Sequence, residues 1–164
     1  MSHGAYEKAE QVFVNFLRRK DGWKENKIDA CRQLAYCRYR MGKEEEALQI
    51  LFQTFFYDVP RGEVCCDIGR HFLDREEYKQ ASYWLEQALH AEKKLDSGAF
   101  VEEDCYGFLP AILLCVCYDR MGKLELAENM NELAGSYRPE SEYYLVNREY
   151  FRQKEQEEKI AKEK

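Results

Sequence analysis

Along this chain a large apolar residue followed at once by a small one returns at a fixed interval. The pairs are Leu34–Ala35, Ile68–Gly69 and Leu114–Cys115, and an alanine follows each small residue 12 positions later, at Ala47, Ala81 and Ala127. The first two alanines stand 34 residues apart and the last two 46, one more period plus an insertion of 12. Between each small residue and its alanine lies a polar string: RMGK at 40–43, DREE at 74–77 and RMGK again at 120–123. With only three prolines and nine glycines there is room for long uninterrupted helices. The pattern predicts helices near 5–19, 27–41, 44–57, 62–74, 76–94, 108–121, 124–136 and 140–160.

A 34-residue helix-turn-helix period resembles the tetratricopeptide repeat. That pattern wants a large residue at position 7, small ones at 8, 20 and 27, a turn glycine at 15, a bulky residue at 24 and proline at 32. The third unit supplies Leu114, Cys115, Gly122, Ala127, Asn131, Ala134 and Pro139; the first supplies Leu34, Ala35, Gly42, Ala47, Leu51 and Thr54. The second supplies Ile68, Gly69, Ala81, Leu85 and Ala88, with Glu76 in place of the glycine. Gly4, Ala9, Phe13 and Phe16 fit the second helix of a further unit without its first, as if cut from a longer protein. The physical sense of the pattern is that small residues let paired helices approach while large ones fill the gaps. The expected fold is all-α, a solenoid of antiparallel helix pairs in a right-handed superhelix with about eight helices. It divides into a partial repeat (5–19), three repeats (28–61, 62–95 and 108–141), an insertion (96–107) and a capping helix with a charged tail (142–164). Tyr144, Leu145 and Phe151 supply the capping face.

The 25 Lys and Arg against 31 acids leave a formal charge of −6, which argues against a nucleic-acid partner. The longest apolar run, Phe108 to Tyr118, is far short of the roughly 20 residues a membrane span needs. The opening MSHGAYEKAE is polar and unlike a secretory leader, so a cytoplasmic protein with reduced thiols is expected. Seven cysteines include no C-x-x-C pair. Cys115 holds a small packing position, Cys117 points away from it on the same helix, and Cys31 and Cys65 share position 4. They read as core residues, and no metal or cofactor is expected. None of His3, His71 and His90 stands in a nucleophile motif, and each reads as a surface helix histidine.

Three strings go beyond the generic repeat: residues 57–89, EEDCYGFLP (102–110) and LCVCYDRMGKLELAENMNELAG (114–135). Together they resemble the repeat region that follows the catalytic domain in some bacterial family 2 glycosyltransferases. That resemblance implies a parent enzyme moving sugar from a nucleotide donor onto a protein, glycan or lipid. The chain has no Asp-x-Asp, no G-x-G-x-x-G and no P-loop string, so the chemistry itself is not expected here. The reading is a non-catalytic interaction or scaffold module that helps acceptor recognition or oligomerisation. The alternative is a free-standing adaptor binding a partner's peptide.

In the repeat family, positions 2, 5, 9, 12 and 13 of each first helix face a concave groove. Carried over, they give Arg32, Tyr36, Tyr39 and Arg40 from the first unit. The second gives Cys66, Arg70 and Asp74 with Asp67 beside them, and the third gives Val116, Asp119 and Arg120. Aromatics interleaved with arginines suit a peptide or a glycan, through stacking and bidentate hydrogen bonds. The Lys and Asn set with which chaperone-binding members grip a C-terminal carboxylate is absent. The competing reading is that these charges only pair with one another, as Arg70 and Asp74 could across one helical turn. Phe100 and Tyr106 of the insertion are expected to pack locally.

Overall fold

The computed structural model describes residues 3–94 and 101–162. Among them are eight α-helices and no strand. They are α1 (His3–Arg18), α2 (Lys24–Arg40), α3 (Glu44–Gln53), α4 (Gly62–Leu73), α5 (Tyr78–His90), α6 (Phe108–Arg120), α7 (Leu124–Tyr137) and α8 (Glu142–Lys162). Short 3-10 turns follow α3 (Thr54–Phe56) and precede α6 (Glu103–Tyr106). α3 is shorter than expected because its last turn tightens into the first of these, and α5 ends at His90. Each helix packs chiefly on its neighbours in the chain, as a solenoid requires. No helix among the described residues is long and apolar enough to cross a membrane.

Three turns inside the helix pairs are built alike. Gly42 and Gly122 take φ of 75° and 73°, and Glu76 takes 58° at the same repeat position. In each, two backbone N–H groups reach back to close the preceding helix. Lys43 donates to Arg38 and Gly42 to Tyr39; Glu77 donates to Phe72 and Glu76 to Leu73; Lys123 donates to Tyr118 and Gly122 to Asp119. This is the left-handed C-terminal cap that glycine favours because it carries no Cβ. The next helix then starts on the same residue. The amides of Ala47, Ala81 and Ala127 donate to the carbonyls of Lys43, Glu77 and Lys123.

The small residues lie where helices touch. Ala47, Ala81, Ala88, Ala127 and Ala134 are fully buried. A methyl group added at Gly69 would stand 2.8 Å from the Leu85 Cγ, so α4 and α5 meet there with no spare volume. Large residues fill what remains: Ile28, Leu34, Leu51, Val64 and Ile68 form one core between α2, α3 and α4. Leu85, Leu114, Cys117 and Phe151 form a second between α5, α6 and α8. Burying each such side chain contributes about 1.5–3 kcal/mol. Phe52 and Phe55 pack on Trp84 with ring centroids 5.4 and 5.8 Å away, joining α3 to α5. Asn131 stands where the other units have Leu51 and Leu85, and its side-chain amide donates to the Tyr144 carbonyl at 3.1 Å, tying α7 to α8.

All seven cysteines are buried and free. Burial pushes the thiols of Cys31, Cys65, Cys115 and Cys117 up to about 12, so they stay protonated and unreactive at neutral pH. On α8, Tyr144 and Phe151 are buried, but Leu145, expected beside them, is 49% exposed. Tyr144 and Phe151 are seven residues apart and share one helix face, while Leu145 is turned about 100° from it.

Two substitutions test this packing. Ala81→Leu should cost about 1–3 kcal/mol in a denaturant titration through overpacking, and a neutral result would mean the α4–α5 contact is looser than described. Glu76 is exposed and makes no ion pair among the described residues. Glu76→Gly should therefore stabilise by up to ~1 kcal/mol, by relieving the left-handed backbone.

Candidate functional site

The first helices of the first two repeats, α2 and α4, flank a concavity of about 760 Å³. A helix offers one face to its partner and another to the open side, and here the open-side residues converge. Arg32, Tyr36, Tyr39 and Arg40 come from α2, Asp67 and Arg70 from α4, and Asp74 from the cap at its end. Asp119 and Arg120 of the third unit do not join them. Asp119 instead accepts a 2.9 Å hydrogen bond from the Tyr150 hydroxyl of α8. Cys66, at a groove position by repeat count, is buried and donates its thiol to the Cys105 carbonyl at 3.5 Å.

The floor of the concavity is a paired charge network. The Arg32 Nε lies 2.6 Å from Asp67 Oδ2, its Nη2 lies 3.3 Å from Oδ1, and its Nη1 lies 2.8 Å from Glu102 Oε1. Burial works to discharge Arg32, but the two carboxylates outweigh it and hold its guanidinium charged. Burial raises Asp67 above the ordinary carboxylate range despite Arg32. Burial pushes Glu102 the same way, but the Arg32 hydrogen bond and charge win and leave it lowered. No ion pair joins Arg70 to Asp74 among the described residues: both are exposed and point to solvent. The pairing that does form runs between helices and the insertion. Arg32 is therefore partly structural, and replacing it would strand Asp67.

Three titratable lining residues, Glu102, Glu44 and His71, were not legible at groove positions. Glu102 belongs to the insertion, outside the 34-residue period. Glu44 opens α3 and is paired with Arg75. His71, expected at the surface, is buried in the wall with Nδ1 2.7 Å from the Tyr39 hydroxyl. It directly follows the groove position held by Arg70 and shares its repeat position with Cys37 and Cys117, both buried; that equivalence is the signal that marks it as a wall residue.

The insertion forms the wall at one end. The Glu102 amide donates to Glu63 Oε1 at 3.0 Å, and the Tyr106 hydroxyl donates to Glu63 Oε2 at 2.5 Å. Gly62 permits this approach, since a Cβ there would stand 2.8 Å from the Tyr106 ring. Tyr106 thus packs locally, as expected, while Phe100 lies outside the described residues.

His71 supplies a pH test. Burial, reinforced by the nearby Arg75 charge, lowers its pKa below the ordinary value of 6.5. As pH falls through about 6.5 the unfolded chain takes up this proton first, so the folded state loses stability. The unfolding free energy of the native chain minus that of His71→Asn should therefore shrink between about pH 7.5 and 5.5. A constant difference over that range would show that His71 titrates normally.

No protein-family model matches the chain, and no curated protein does. Among solved structures, one described as "MamA RS-1 ArsTM double mutant" superposes with a TM-score of 0.71 at 18% identity, covering 98% of this chain and 81% of that one. MamA contains tetratricopeptide repeats, and the shared helix arrangement is a likeness of fold. The chain is thus an all-α tetratricopeptide-repeat solenoid with a charged, aromatic-lined groove between its first helices.

Proposed function

We propose that the groove between α2 and α4 receives an extended segment of a protein partner, and that the chain works as a non-catalytic interaction module. The observation that carries this reading is the convergence of exposed Tyr36, Arg40 and Arg70 on one concavity whose floor is fixed by the Arg32–Asp67–Glu102 network. A prearranged floor lowers the ordering cost of binding. An exposed tyrosine and exposed guanidiniums are the side chains that most often carry interface energy.

The finer reading places this module beside a family 2 glycosyltransferase domain, helping it hold its acceptor or oligomerise. Its support is the three sequence strings alone, and an Asp-x-Asp motif upstream in the same open reading frame would be its test.

For the groove itself, peptides selected from a random library on the purified chain should lose about tenfold or more in affinity for Tyr36→Ala with Arg40→Ala, a change of ~1.4 kcal/mol. They should bind Tyr83→Ala, an exposed position outside the concavity, as they bind the native chain. Equal binding to the double variant, with its melting temperature unchanged, would move the functional surface elsewhere.

A further inference from the structure

Arg32 on the groove floor is already held by one carboxylate that α2 and α4 do not supply. Glu102 comes from 70 residues away in sequence to accept from Arg32, with its main chain held in place by Glu63. Its side chain is 43% exposed and reaches Arg32 through one nitrogen, whereas Asp67 is 28% exposed and takes two. Of the two acids on this guanidinium, Glu102 is the replaceable one.

Arg70 and Arg40 also line the concavity, and neither has a carboxylate partner among the described residues. Arg70 still lies near enough to Glu102 and Asp67 for its charge to favour their ionised forms. Arg40 lies over the Tyr6 ring at 5.7 Å, which orients it without neutralising it. The lining acids are less available: Glu44 is bound to Arg75, Asp67 to Arg32, and only Asp74 stands exposed and unpaired.

Resting on the groove reading above, we propose that the partner segment is acidic: its carboxylate side chains engage Arg70 and Arg40 and displace Glu102 from Arg32. Glu102 then acts as an internal stand-in that keeps Arg32 satisfied until the partner arrives. Guanidinium–carboxylate pairs of this kind are short and bidentate, which gives them geometric selectivity. Asp74, one helical turn beyond Arg70, disfavours a further acid at that end. The chain's net charge of −6 opposes long-range attraction of an acid, so recognition depends on these close contacts.

The test uses a random peptide library selected on the full chain. Groove-directed peptides, defined by loss of binding to Tyr36→Ala, should be enriched in Asp and Glu. An acidic peptide from that set should bind at least tenfold more weakly to Arg40→Glu with Arg70→Glu, and severalfold more tightly to Glu102→Gln, which keeps the main-chain bond to Glu63 but surrenders Arg32. Melting temperatures check that each variant is folded. Groove-directed peptides without acidic enrichment, or an acidic peptide indifferent to Glu102→Gln, would overturn this proposal and leave the groove reading standing. Failure to obtain any groove-directed peptide would sink both.

Discussion

Two helices can lie in close contact only where nothing large stands between them, and the whole molecule is arranged around that restriction. Gly69 against Leu85, and the sealed Ala47, Ala81 and Ala127, set how near each pair can come. Once the pairs are close, Leu34, Ile68 and Leu114 have one place to go, and the polar turns between them must be short. The left-handed caps at Gly42, Glu76 and Gly122 satisfy that demand by closing one helix and opening the next within a few residues. The groove is a by-product of the same geometry. Helices held tightly on their packed sides leave their other sides facing one another across open space.

The helix positions and the identity of the contact residues were legible because both follow from a strict period and from volume. Seven cysteines could be read as packing residues on the same ground, and the structure buries them all. What escaped was the register of single residues on their helices and the pairing of charges between distant parts of the chain. His71 reads as a surface residue by its type, yet it shares a repeat position with the buried Cys37 and Cys117, and Tyr39 holds its ring nitrogen. Leu145 looked like part of an apolar cap, but seven-residue spacing reserves the buried face for Tyr144 and Phe151. The Arg70–Asp74 spacing suits a pair across one turn, yet the stronger pairing runs from Arg32 across to α4 and the insertion. Local spacing informs on helices and says little about which distant charge wins.

The charge network also separates two kinds of residue within one cavity. Arg32, Asp67, Glu63 and Tyr106 hold the wall together, so their substitution would damage the frame and any recognition at once. Tyr36, Arg40 and Arg70 present themselves to solvent from that frame. A surface assembled in this way is stiff beneath and adaptable above, because only the outer side chains are free to choose rotamers.

The insertion changes the order in which such a molecule can come together. Nearly every other contact joins neighbours in the chain, and a solenoid of that kind can nucleate in any repeat and spread. The Arg32–Glu102 and Glu63–Tyr106 links span 70 and 43 residues, and each requires a long loop to close before it returns any stabilisation. Loop-closure cost therefore predicts that helix pairs form first, from local encounters, and that the end wall of the groove is completed last. A nascent or partly denatured chain would have its solenoid spine before it had a finished recognition surface.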